Sequence, residues 1–239
     1  MSANRRRSLL WPSILSLLAF LVFLGLGIWQ LQRLHWKEGL IAAREAGAKA
    51  PPVALPATAD EARGLEFHRV RAGGSFQHGA ELYLQVISPD GKPGYHVVTP
   101  LLLADGDFVF VDRGFVPEEK KNPATRTAAQ HLGMGDVTGV VRLPAPPGPF
   151  TPANDPAHNR WFYVDLAAMA AADRVERVLP FYLEADATPN PGGFPVGGQS
   201  NLALPNDHLQ YAITWFALAA AMPVLYFFLM RHMRRERRR

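Results

Sequence analysis

Two short segments of this 239-residue chain hold most of the residues that could do chemistry. One is Asn206-Asp207-His208-Leu209-Gln210-Tyr211-Ala212-Ile213-Thr214-Trp215, at the start of an apolar run. Asn206 can cap a helix there, which puts His208 in the first turn. The partial positive charge of a helix N-terminus disfavours a second positive charge on the ring. A neutral imidazole where lipid meets water has the character of an axial ligand to haem iron. The plainer reading is an interfacial histidine bonded to Asp207 or to lipid headgroups. Tyr211 and Trp215, three and seven residues further on, share a helix face with His208. They either flank a porphyrin plane or belong to an interfacial aromatic belt. Thr214 is placed to bond the carbonyl four residues back.

The other segment is Gly27-Ile28-Trp29-Gln30-Leu31-Gln32-Arg33-Leu34-His35-Trp36-Lys37. Trp29, Arg33 and Trp36 recur at helical spacing. One reading packs them against the His208 face with Arg33 near a porphyrin propionate. The other makes them an anchor with a snorkelling arginine. Beyond these two segments the chain makes no case for catalysis. Cysteine is absent, which removes disulfides, thiolate zinc sites and thioredoxin-like pairs. The remaining histidines (His35, His68, His78, His96, His131, His158 and His232) form no metal-binding spacing, and no nucleophile elbow, P-loop or dinucleotide fingerprint stands out.

Both segments border stretches that must be helical and lie in lipid. Leu9 to Gln30 and Leu209 to Met230 contain no charged residue, and roughly 20 apolar residues cross a hydrocarbon core of about 30 Å. Each carries one proline, Pro12 or Pro223, which a membrane helix tolerates. The first run is too long for the apolar region of a signal peptide and lacks a small-residue cleavage site, so a retained anchor is expected. Arg5, Arg6 and Arg7 precede the first span, and Arg231, Arg234, Arg235, Arg237, Arg238 and Arg239 follow the second, while the middle is net acidic. The overall charge of +4 therefore reflects membrane topology and not a nucleic-acid-binding face. Both termini are expected in the cytoplasm and the middle on the outer side.

The expected organisation is a cytoplasmic arm at 1–8, a first transmembrane helix at 9–30 and its helical extension at 31–50. An exported β-rich domain with a linker follows at 51–205, then a second transmembrane helix at 206–230 and a basic tail at 231–239. All of the 21 prolines except Pro12 and Pro223 fall in the middle portion, which argues against a helical bundle there. Runs with a period of two predict strands over Phe67–Phe76, Glu81–Ile87, Tyr95–Leu103, Phe108–Val116, Val137–Leu143 and Val178–Ala185. Pro89-Asp90-Gly91, Asp105-Gly106 and Gly133-Met134-Gly135 read as turns between them. A short helix is expected over Asp165–Ala172 with Asp165 as its N-cap. Pro189 to Asn201 reads as a linker back to the membrane. The fold class is a membrane protein in which two transmembrane helices flank a mainly antiparallel, barrel-like β domain with one short helix.

Two further segments complete a pattern: Val111-Asp112-Arg113-Gly114-Phe115-Val116-Pro117 at a strand end, and Phe150-Thr151-Pro152-Ala153-Asn154-Asp155 continuing to Asn159-Arg160-Trp161-Phe162. Residue by residue, Arg113, Gly114, Asn154, Asp155 and Trp161 read as structural. The four segments in this order, over nearly the whole chain, resemble the Surfeit locus protein 1 family of haem–copper cytochrome c oxidase assembly factors. The resemblance implies a respiratory inner membrane, the bacterial one given the short arginine-bearing start. It also implies transient binding of haem a, with His208 as the contact. The implied partners are the lipid bilayer, the catalytic subunit of the oxidase and the haem a synthesis enzymes. Against this haem-carrying chaperone stands a cofactor-free scaffold that stabilises an assembly intermediate. A two-span sensor would need a cytoplasmic output domain, which the short tails do not supply.

Overall fold

A computed structural model describes residues 10–88, 90–130, 132–200 and 204–238, without the side chains of 237 and 238. Arg5, Arg6, Arg7, Leu9, Pro89, His131, Asn201 and Arg239 lie outside the described residues. The chain divides into two units, one of residues 1–42 with 203–239 and one of residues 43–202.

Two helices form the first unit. Helix α1 is continuous over Leu10–Lys49, 40 residues, so the span and its predicted extension are one rod. Of the remaining helices the longest is His208–Arg238, 31 residues with Pro223 inside it; it is α4 in chain order. Both are long and apolar enough to cross a membrane. Their outward faces carry exposed Ile14, Leu18, Leu21, Val224, Leu225 and Phe228. A helix apolar on the side away from its partner fits lipid, because in water that face would have to be covered.

The two helices run antiparallel and meet along one seam. Ser13 Oγ lies 2.8 Å from Tyr226 Oη, the Phe23 and Trp215 rings stack at 5.8 Å, and Lys37 Nζ donates to the Pro205 carbonyl. Along α1 the less exposed positions Phe20, Phe23, Gly27, Gln30, Leu34 and Lys37 alternate three and four residues apart. Along α4 His208, Ala212, Trp215, Ala219, Met222 and Tyr226 do the same. That alternation is the seam of a left-handed helix pair. Gly27 is needed where it stands: a Cβ there would lie 2.6 Å from the Phe216 ring. Ala212 and Ala219 are buried opposite it, as expected where small residues let helices approach in lipid.

The second unit is built on seven strands: β1 (Val53–Ala54), β2 (Arg69–Phe76), β3 (Leu82–Ile87), β4 (Pro93–Leu103), β5 (Phe108–Pro117), β6 (Met134–Arg142) and β7 (Val178–Ala185). They are hydrogen-bonded in the order β1-β2-β6-β7-β5-β4-β3, and a further β2–β4 pairing closes β2, β6, β7, β5 and β4 into a ring. Closure occurs inside β4, whose Pro93–Val98 half pairs with β3 and whose Leu101–Leu103 end pairs with β2. Pro100 sits at this change of partner, where a missing N–H costs no ladder bond. Val70, Ala72, Leu101, Val109, Val111, Phe181 and Leu183 alternate inward to fill the ring.

Each of the six predicted runs contains a strand, with corrections at the ends and in the closure. Strand β2 starts at Arg69 because Phe67 has φ 67°, which is not extended. Strand β6 starts earlier than expected, since Met134 and Gly135 pair with Ser75 and Gly74 and do not turn. Of the six predicted strands five form the ring while β3 lies at its edge, and β5 and β7 run parallel in the otherwise antiparallel ring. Helix α2 (Ala59–Gly64), capped by Thr58, was not anticipated; it buries Ala62 against the core. Helix α3 (Leu166–Asp173) is the expected one: Asp165 Oδ1 accepts from Ala168 N at 3.0 Å, and Met169 packs outside the ring against Phe110, Trp161 and Tyr182.

Candidate functional site

Within the helix pair, His208 is the first residue of α4, and Tyr211 N donates to the Asp207 carbonyl at 3.3 Å. Asn206 does not cap this helix, because its Oδ1 accepts no hydrogen bond. His208 instead turns into the seam, where Nδ1 lies 2.6 Å from Gln30 Oε1. An amide oxygen can only accept, so Nδ1 carries the proton. The lone pair of the neutral ring is then on Nε2, which makes no hydrogen bond among the described residues. Gln30 is 8% exposed although it lies in an apolar span.

The predicted companions of His208 separate. Trp215 shares the seam, two turns further on, stacked on Phe23. Tyr211 is 56% exposed, because an i+3 residue sits about 60° around the helix from its reference while the seam passes through i+4. Trp29, next to Gln30 and hence about 100° around the helix, is 52% exposed. Arg33 lies on the outer face as well, its Cζ 3.9 Å from the Trp36 ring centroid. Of the two readings of Trp29 and Arg33, the outer-face position agrees with the anchor and not with packing against His208, to which α1 presents Gln30. Thr214 Oγ1 donates to the Gln210 carbonyl at 2.9 Å, as its spacing implied. Farther along the seam Leu17, Phe20, Met222 and Pro223 line an apolar cleft of about 450 Å³.

The β domain holds a different cluster. Arg126 grips Glu81 with both Nη groups, Arg113 Nη1 lies 3.5 Å from Glu81 Oε1, and His78 Nδ1 is 3.2 Å from Arg113 Nη1. Arg113 also donates to the Ala129 carbonyl at 2.6 Å and to Asn190 Oδ1 at 3.3 Å. Burial pushes the Glu81 carboxyl up, but the His78 and Arg126 hydrogen bonds and the two arginine charges outweigh it and hold the group at about 2. Burial lowers Arg113 to about 10 against the opposing pull of Glu81, so it stays charged at neutral pH. Arg113 reaches the wall of a 290 Å³ pocket that Asp136 and Asp186 also line. Its Nη groups are spent on protein, tying β5 to the segments that carry Ala129 and Asn190.

The remaining quoted segments are structural too. Gly114 has φ 109°, and a Cβ on it would lie 2.0 Å from the Val196 carbonyl oxygen, so only glycine fits. Asp112 accepts from Gly114 N at 2.9 Å, and its other oxygen lies 2.6 Å from His96 Nδ1. Asn154 Oδ1 accepts from Phe162 N at 2.8 Å. Asn159 bonds Tyr83 N and the Glu81 carbonyl, and Trp161 exchanges backbone bonds with β3. The Asn154–Phe162 loop thus covers the outer edge of β3, which would otherwise offer unpaired backbone groups. Among the described residues no group of three or more His, Cys, Asp or Glu is placed to hold a metal ion.

Sequence reasoning passed over Gln30, Glu81, Arg126 and His78. The signal for Gln30 was available, as an amide on the heptad line that joins Phe23, Gly27 and Leu34. For Glu81 there was none, since its partner Arg126 is 45 residues away.

These features define a class: a two-helix membrane anchor whose sequence carries an inserted five-strand barrel and whose helices meet at a histidine–amide pair. The SURF1 family profile matches residues 17–220, and the chain belongs to the SURF1 family. It is 41% identical to Surfeit locus protein 1 of Mus musculus over 218 residues, 85% of this chain and 70% of the mouse protein. The Homo sapiens protein of the same name is 41% identical over 219 residues, 85% of this chain and 72% of its own length. A SURF1-like protein of Monosiga brevicollis is 37% identical over 243 residues, covering 96% and 91%.

Proposed function

We propose that this chain is an assembly factor for haem–copper cytochrome c oxidase that holds haem a on His208 and passes it to the catalytic subunit. The observation that carries the reading is the His208–Gln30 contact: it spends Nδ1 and leaves Nε2 as a free nitrogen donor at the end of the apolar seam. Membership of the SURF1 family supports the oxidase assignment. Bound haem supplies an iron that takes an imidazole nitrogen as axial ligand. Of this chain's residues, His208 would hold the iron, half-exposed Tyr211 would offer an aromatic contact beside it, and Trp215 would shape the seam. Trp29 and Arg33 anchor α1 at the interface. A single-histidine site suits a carrier, because transfer needs an affinity that the acceptor can exceed.

The arginines beyond the spans place both termini in the cytoplasm by the positive-inside rule. The barrel then lies in the periplasm, with the inner membrane of a bacterium as the host membrane. Reporter fusions at both ends and in the β domain check this, and a cytoplasmic signal from the domain overturns it. The haem reading is checked on protein purified after co-expression with the haem a synthesis enzymes. His208→Ala is expected to lose most of the haem absorbance. Wild-type protein that stays colourless leaves the cofactor-free scaffold as its function.

A further inference from the structure

Resting on the haem reading, we infer that Gln30 is a positioning residue that fixes the His208 tautomer and tunes its nitrogen as a ligand. Three observations converge. Gln30 is buried at the end of the apolar stretch of α1, where an amide without a partner is costly. Its oxygen meets Nδ1 at 2.6 Å. The two residues stand 178 positions apart in sequence, so the contact exists only because both lie on the helix seam.

An imidazole that donates from one nitrogen is a stronger donor through the other, and such an acceptor fixes both the tautomer and the ring orientation. A seam amide is a neutral acceptor, which raises ligand strength less than a carboxylate would. Gln30 therefore holds Nε2 ready as a donor while keeping it a moderate one, as a carrier that must release its cargo requires. Trp29 and Arg33, in the same segment, face away and take no part in this.

The test uses the full chain in detergent, titrated with haem a. Gln30→Leu keeps the volume and removes the acceptor, and it is expected to weaken binding roughly ten- to a hundredfold. Gln30→Glu keeps an acceptor and makes it anionic. It is expected to retain binding and to lower the midpoint potential of the bound haem, since a more electron-rich imidazole favours ferric iron. A residue that merely fills the seam would leave the affinity unchanged when leucine of similar volume replaces it. Unchanged affinity in Gln30→Leu overturns the inference, and so does an unchanged potential in Gln30→Glu; if the leucine variant fails to fold, the glutamate variant decides alone. His208→Ala separates the two levels. If that variant binds haem a like wild type, the haem site itself is misplaced. If it does not bind while both Gln30 variants match wild type, only the role of Gln30 falls.

Discussion

In the β domain Glu81 lies between Arg126, Arg113 and His78 with its side chain almost fully buried, whereas at its first turn α4 meets α1 through the uncharged hydrogen bond His208–Gln30. The barrel closes on itself, and Arg113 and Arg126 of that cluster also bond backbone carbonyls, so losing Glu81 would strand two buried charges. The helix pair is held by small-residue packing and a few uncharged polar contacts. The charged groups of that cluster are thus spent on one another and on backbone carbonyls, whereas in the helix pair the contact with Gln30 takes up only one of the two His208 ring nitrogens.

The largest expected effect comes from breaking the barrel's charge cluster. Glu81→Ala leaves Arg126 and Arg113 buried without their carboxylate and should cost about 3–5 kcal/mol, measured by denaturant unfolding of the full chain in detergent. The same group sets an acid limit. Its folded value of about 2 is below the unfolded 4.5, so its contribution is complete above pH 4.5 and is lost as pH falls towards 2. A midpoint that stays flat through this window would remove the contrast between the two regions.

A smaller effect is expected in the helix pair. Gly27→Leu drives a side chain into Phe216, and overpacking of this kind costs roughly 1–3 kcal/mol. Because it parts the seam between Gln30 and Phe23, it should lower haem a occupancy while leaving the barrel's unfolding transition in place. Loss of both together would mean that the two regions do not behave independently.

The smallest effect tests an unpartnered group in the β domain. Burial pushes Asp173 up to about 7, its Oδ2 accepts no hydrogen bond, and it ends α3 where the helix dipole also disfavours an anion. The folded value exceeds the unfolded one, so above pH 7 the charge destabilises the domain, and the penalty shrinks as pH falls from 7 towards 4. Asp173→Asn should raise the melting temperature by a few degrees at pH 8 and have little effect at pH 4. Equal shifts at both pH values would locate its effect elsewhere.

Local pattern was enough for the two long helices, α3 and six of the seven strands, though not for β1 or α2. Uncharged runs of helical length, period-two strands and the Asp165 cap each express an interaction between residues close in the chain, and each appears in the structure. His208 at the start of α4 was legible for the same reason. What could not be read was which residue meets it. Trp29 and Arg33 looked the better chemistry, yet the helix seam follows the heptad line through Gln30 and carries them to the outer face. The five-strand closure, the parallel β5–β7 pair and the Glu81–Arg126 fork were equally out of reach. Helix and strand periodicity depend on neighbours a few residues apart and are written along the chain. Pairings across 45 or 178 residues depend on how whole elements rotate and close, which only the folded packing decides.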